Sequence, residues 1–188
     1  PSHLNNALIE GETSVCYGQT YKYSINDFHP CVDAVTWSVS PNLNIVSQTA
    51  TTIRVSADFF NNQYAGVITA NLPNSSFTIQ KGVWVGVPSN NGLAIQKIGA
   101  YDLHVDRWTK LRAVYSPLIY QANGPLNLTY EWQIPFSMVR TFPDTAYKDV
   151  KPFNAGQIDI GVRAVCPCGT GQWRFRTFNV GGTNNELT

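Results

Sequence analysis

Apolar and polar residues alternate with a period of two along most of this chain, and a helical period is nearly absent. No stretch of ~11 residues or more places apolar side chains at i, i+3, i+4 and i+7 between plausible caps. Tyr21, Tyr23 and Ile25 alternate with Lys22, Ser24 and Asn26. Val35, Trp37 and Val39 alternate with Thr36, Ser38 and Ser40, and Ile53 and Val55 with Arg54 and Ser56. Val67 and Thr69 flank Ile68 and Ala70, and Val83 and Val85 are opposite in parity to Trp84. Turn-forming clusters separate these runs at 27–30, 40–42, 60–62 and 73–75. Short strands ended by Pro, Gly or Asn at such spacing predict antiparallel sheets packed as a sandwich.

The second half repeats the plan. Tyr130–Ile134 resembles Val35–Val39 with an offset of 95, Gly161–Ala164 resembles Val67–Ala70 with an offset of 94, and Phe178–Val180 resembles Val83–Val85 with an offset of 95. Three landmarks at nearly one offset predict an all-β chain of two tandem antiparallel β-sandwiches, spanning 1–87 and 88–188. The Pro/Gly/Asn stretch 86–92 reads as the linker between them. Gln133 to Gly156, with three prolines, reads as a longer central insertion and a place for a partner surface.

Composition narrows the function classes. Of 188 residues, 43% are apolar, enough for a packed core. Only 13% are charged, and 13 Lys+Arg stand against 12 Asp+Glu, so no basic field is available to hold nucleic acid. No apolar run approaches the ~20 residues of a membrane-spanning helix. No secretory leader opens the sequence, and the abrupt ends read as those of an excised piece of a longer protein. Even cysteine count and abundant Asn and Thr fit an oxidising compartment. The sequons at Asn74 and Asn127 matter only on a eukaryotic secretory route.

Ser14–Tyr21, Val35–Val39 and Gly66–Ala70 resemble a PKD-like or immunoglobulin-like module of the kind strung together in secreted and surface proteins of Bacteroidetes-type bacteria. Tyr130–Trp132 and Val162–Gly169 are similar, more weakly. The resemblance implies an extracellular, non-catalytic spacer, adhesive or accessory module, and it supplies no catalytic residue. Modules of this type often bridge a cysteine near strand B to one near strand F. Here Cys16 has no such partner near Ala70, and Cys166 and Cys168 have none within 110–115. The disulfide candidates are therefore Cys16, Cys31, Cys166 and Cys168. Cys16–Cys31 and Cys166–Cys168 are both allowed by count, and neither follows from the sequence.

Candidate sites are few. Trp37 and Trp132 occupy the position where tryptophan fills a sandwich core. Trp84, Trp108, Trp173, Tyr147 and Phe153 are the candidates for stacking against sugar rings, whose axial C–H faces are apolar; core or interdomain filling is the plainer reading of each. Asp102, His104 and Asp106 would share one strand face, but side chains two apart on a strand converge poorly, so a solvated face is favoured over a metal site. Cys166-Pro167-Cys168 lacks the C-x-x-C spacing of a redox pair. None of the common hydrolase, metalloprotease or nucleotide-binding motifs occurs, and Glu10, Glu12 and Glu131 are scattered. The expectation is a monomeric, non-enzymatic surface module with no cofactor and no metal, used for spacing or adhesion. The alternative is a module that binds glycan or a surface protein through exposed aromatics.

Overall fold

The computed structural model describes residues 7–26, 35–59, 64–72, 78–99, 102–115, 128–136, 138–140 and 146–182. It is all strand among these residues and divides into two compact units. The first holds the described residues up to Val87 together with Cys166–Gly169; the second holds the described remainder from Pro88 onward. Cys31, like Asn74 and Asn127, lies outside the described residues.

The first unit contains β1 (Ile9–Glu10), β2 (Ser14–Val15), β3 (Thr20–Ile25), β4 (Thr36–Val39), β5 (Leu43–Gln48), β6 (Thr52–Ala57), β7 (Ala65–Asn71) and β8 (Thr78–Val85). One sheet runs β1-β3-β6-β5 and the other β2-β8-β7-β4. Alternation puts Tyr23, Ile25, Ile53 and Val55 of the first sheet against Trp37, Ile68, Ala70, Ile79, Val83 and Val85 of the second, in one buried core.

The second unit contains β9 (Leu93–Ile98), β10 (Leu103–His104), β11 (Thr109–Tyr115), β12 (Thr129–Gln133), β13 (Met138–Arg140), β14 (Tyr147–Pro152), β15 (Gly156–Cys166), β16 (Gly169–Thr170) and β17 (Arg174–Gly181). Its sheets are β13-β14-β11-β9 and β10-β17-β15-β12, with β16 beside β15. Leu93, Ile95, Leu111, Ala113, Met138 and Val150 pack against Leu103, Ile160, Val162, Phe178 and Val180.

Apart from β16, the two pairing schemes are the same, strand for strand. In each, the opening strand starts antiparallel in one sheet and then joins the last strand of the other sheet in parallel: β1 with β3 then β2 with β8, and β9 with β11 then β10 with β17. Both changes of sheet contain a glycine at positive φ, Gly11 at 143° and Gly99 at 110°, where a side chain would be strained.

Register refines the repeat. Trp37 lies opposite Ala70, whereas Trp132 lies opposite Val162. Val83 lies opposite Gly66, whereas Phe178 lies opposite Ile158. Both pairings make β15 equivalent to β7 with an offset of 92, two residues from the offset of 94 that residue similarity suggests. The expectation of a long insertion over 133–156 is corrected. That stretch carries β13 and β14, the counterparts of β5 and β6, and 22 residues separate β12 from β15 where 25 separate β4 from β7.

Candidate functional site

The stacking candidates fall in different surroundings. Trp84 follows the outward parity of β8 and is nevertheless buried, 1% exposed. The ring of Tyr64 stacks on it at 5.5 Å and 9°, and its Nε1 donates to the Gly86 carbonyl at 2.8 Å. This corrects its place among the stacking candidates: a ring so covered has no face for a ligand.

Trp108, Tyr147 and Phe153 are exposed in the second unit. Tyr147 stands beside its register partner Arg112, whose guanidinium is 5.6 Å from the ring centre. The Lys151 ammonium is 6.0 Å from the Trp108 ring. Lys110 pairs across from Asp149 on the same face as Arg112 and Tyr147. These rings are thus spaced among charges.

The other sheet of the second unit is different. Its outward row runs from Gln133 on β12 through Gly161 on β15 to Phe175 on β17. A Cβ at Gly161 would meet Phe175 ring atoms at 2.7, 3.1 and 3.2 Å, so the glycine lets that ring lie down across the sheet. Phe175 is still 49% exposed. Trp173 lies next to it, centroids 6.2 Å apart and planes 33° apart. Arg163 holds its guanidinium 4.6 Å from the Trp173 ring while its Nε donates to Glu131 Oε2 at 2.7 Å. In the following row the Thr177 hydroxyl donates to Asp159 Oδ1 at 2.5 Å. Two tilted rings beside the Arg163–Glu131 pair make a candidate stacking surface. Of its members the sequence pointed to Trp173 alone. A glycine in mid-strand opposite an aromatic of outward parity was the signal for Phe175.

Asp102, His104 and Asp106 do not share a strand face, because β10 is only Leu103–His104 and Asp106 turns back at φ 59°. Asp102 pairs with Lys97 at 2.8 Å, and this hydrogen bond and charge hold its carboxyl below the usual carboxylate range. Asp106 faces Lys151 at 3.7 Å, and His104 Nδ1 meets the Gly182 carbonyl at 3.3 Å. No group of three metal-ligating side chains occurs among the described residues.

Neither disulfide weighed from the sequence forms. Cys16 is bonded to Cys168, 152 residues away, both within the first unit. Sequence distance hid the pair, because only the fold brings the turn after β15 beside the end of β2. Cys166 is a buried free thiol, pushed up in pKa by burial; it accepts from the Cys168 amide at 3.3 Å and donates to the Gly86 carbonyl at 3.5 Å.

The family model of the PKD-like domain matches residues 2–78. The match covers the first unit through the start of β8, and the second unit repeats its pairing scheme. No curated protein matches the chain. Among solved structures it is similar to the full Ig1–Ig3 ectodomain of mouse nectin-like molecule 4, at 11% identity, 97% of this chain, 66% of that one and a TM-score of 0.34. It is also similar to the three N-terminal domains of the Hoc outer capsid protein of bacteriophage RB49, at 11% identity, 94% of this chain, 58% of that one and a TM-score of 0.38. For the titin I-band fragment I67–I69 the values are 12%, 94%, 65% and 0.30. The chain thus spans about two thirds or less of these three structures. PKD-like and immunoglobulin-like domains are typical of adhesion and spacer modules, and the fold is typically non-catalytic.

Proposed function

We propose that this chain is a non-catalytic spacer and adhesion module of a secreted or cell-surface bacterial protein. The observation that carries the reading is the repetition of one pairing scheme in two separately cored sandwiches. Repeated closed units extend a protein by a fixed increment without needing a cleft. The Cys16–Cys168 bond supports an oxidising, extracytoplasmic setting. A second reading is favoured by the Phe175–Trp173 surface. An aromatic, hydrogen-bonding sheet face suits a glycan, and the exposed Trp108, Tyr147 and Phe153 would then be peripheral.

A broad glycan array probed with the labelled chain separates the two. The spacer reading expects no retention above background. The glycan reading expects micromolar retention that Phe175→Ala and Gly161→Val each abolish, the second because a side chain there lifts the ring. Retention that survives both substitutions counts against this surface.

A further inference from the structure

We infer that the Cys16–Cys168 bond makes the chain a tension-bearing link whose reach is set by its redox state. The inference rests on the spacer reading and adds to it how load is carried. Of 188 residues, 151 lie between the two bonded cysteines, leaving 37 on the covalent route from one end to the other. That loop contains every strand from β3 to β15. A pull arriving upstream of Cys16 and leaving downstream of Cys168 therefore passes through the sulfur–sulfur bond. Once the strands outside the loop have let go, those inside it carry no load.

Local structure suits both anchor points to this task. Cys16 follows β2 directly, and β2 is clamped to the end of β8 by Trp84 N–H to the Thr13 carbonyl at 2.8 Å and Gly86 N–H to the Val15 carbonyl at 2.9 Å. Cys168 is steadied through Cys166, whose thiol reaches the same Gly86. Downstream of the bond only β16 and β17 are left to peel. β17 is antiparallel to β15 and is paired from Val180↔Gly156 down to Arg174↔Val162, so a pull on its far end opens the pairs one after another. The extension then stops at Cys168. A dithiol reductant opens the stop: it gives two electrons and two protons to the bond, leaves Cys16 and Cys168 as thiols and becomes a disulfide itself.

Single-molecule stretching of the whole chain, tethered at its two ends, tests this. At ~3.3–3.6 Å per residue, the oxidised chain should reach a contour length of about 12–13 nm and the chain in dithiothreitol about 62–68 nm. The double variant Cys16→Ser, Cys168→Ser should give the long value without reductant, folded or not, because contour length depends on connectivity alone. Cys166→Ser should keep the short value. Equal lengths with and without reductant, or a short value in the double variant, would overturn the inference. Failure of the spacer reading would appear instead as glycan retention on the array, with the stretching result unchanged.

Discussion

The two sandwiches share the strand order of both sheets and differ in what fills them. In the first unit β3 and β6 bring Tyr23 opposite Ile53; in the second, β11 and β14 bring Leu111 opposite Lys148. The flanking pairs agree with this alignment, since Tyr21↔Val55 answers Thr109↔Val150, and Ile25 N–H to the Thr51 carbonyl answers Ala113 N–H to the Ala146 carbonyl. A lysine that is only 3% exposed thus stands where its counterpart unit has an isoleucine. Trp37 is buried opposite Ala70 and donates from Nε1 to the Thr49 carbonyl at 3.0 Å, whereas Trp132 is half-buried opposite Val162. An alanine leaves room for an indole, and a β-branched neighbour takes that room. Topology follows from alternation and turns, which tolerate many fillings; how deeply a given side chain sits depends on its cross-strand partner.

The sharpest break in the comparison is to exchange the residues at this position of β6 and β14. Ile53→Lys puts a cation into a core whose neighbours are Tyr23, Val55 and Ile68, and should cost more than about 4 kcal/mol, enough to open the first unit. Lys148→Ile should cost far less than Ile53→Lys, because it puts an aliphatic side chain where the counterpart unit already carries one. Amide exchange followed by mass spectrometry reads the two units apart. Loss of protection in β6 and β7 with retention in β14 and β15 is expected for Ile53→Lys. Equal tolerance of both substitutions would show that the positions are not equivalent.

Next in size is the pair of tryptophans. Trp37→Ala should cost about 3–5 kcal/mol as a fully buried large-to-small change, and Trp132→Ala about half of that. Urea unfolding of the oxidised chain gives both values, and equal costs would contradict the difference in depth. Loss of Cys16–Cys168 belongs in the same range. A closed loop of 152 residues restricts the unfolded chain by about 5 kcal/mol, so Cys168→Ser should lower the urea midpoint strongly.

What could be read in the sequence follows from these physical distinctions. Period-two runs such as Ile53–Val55 and the repeated Trp37 and Trp132 are local signals, and they disclosed the sheets and the repeat. The slip of β15 by two residues was hidden, because Val67–Ala70 and Gly161–Ala164 look alike whichever residue faces the tryptophan. The proline-bearing 133–156 stretch looked like an insertion, since Pro135 and Pro152 mask the alternation of β13 and β14. Trp84 was misplaced because parity tells which side of a sheet a residue is on and not what covers that side. The disulfide was beyond reach, as 151 intervening residues must fold before the two sulfurs meet.

The smallest effect separates the Tyr23 position from its counterpart Leu111. The Tyr23 hydroxyl is buried with no hydrogen-bond partner among the described residues. Its phenol is pushed well above its ordinary pKa, first by burial and then by the charges of Glu12 and Tyr21. Leaving a buried hydroxyl unpaired costs on the order of 1 kcal/mol, so Tyr23→Phe should stabilise the first unit by about that much at neutral pH. A phenol whose folded-state pKa lies above its unfolded value binds its proton more tightly when folded. Its contribution is intact below pH ~10 and is lost as pH rises from there toward the folded value, because the unfolded chain ionises first. The gain from Tyr23→Phe should therefore widen between pH 9 and pH 11, while Leu111→Val should shift stability equally at both. Urea midpoints of the three proteins at the two pH values measure this, and a gain that is flat with pH would place the Tyr23 hydroxyl in contact with solvent or a partner.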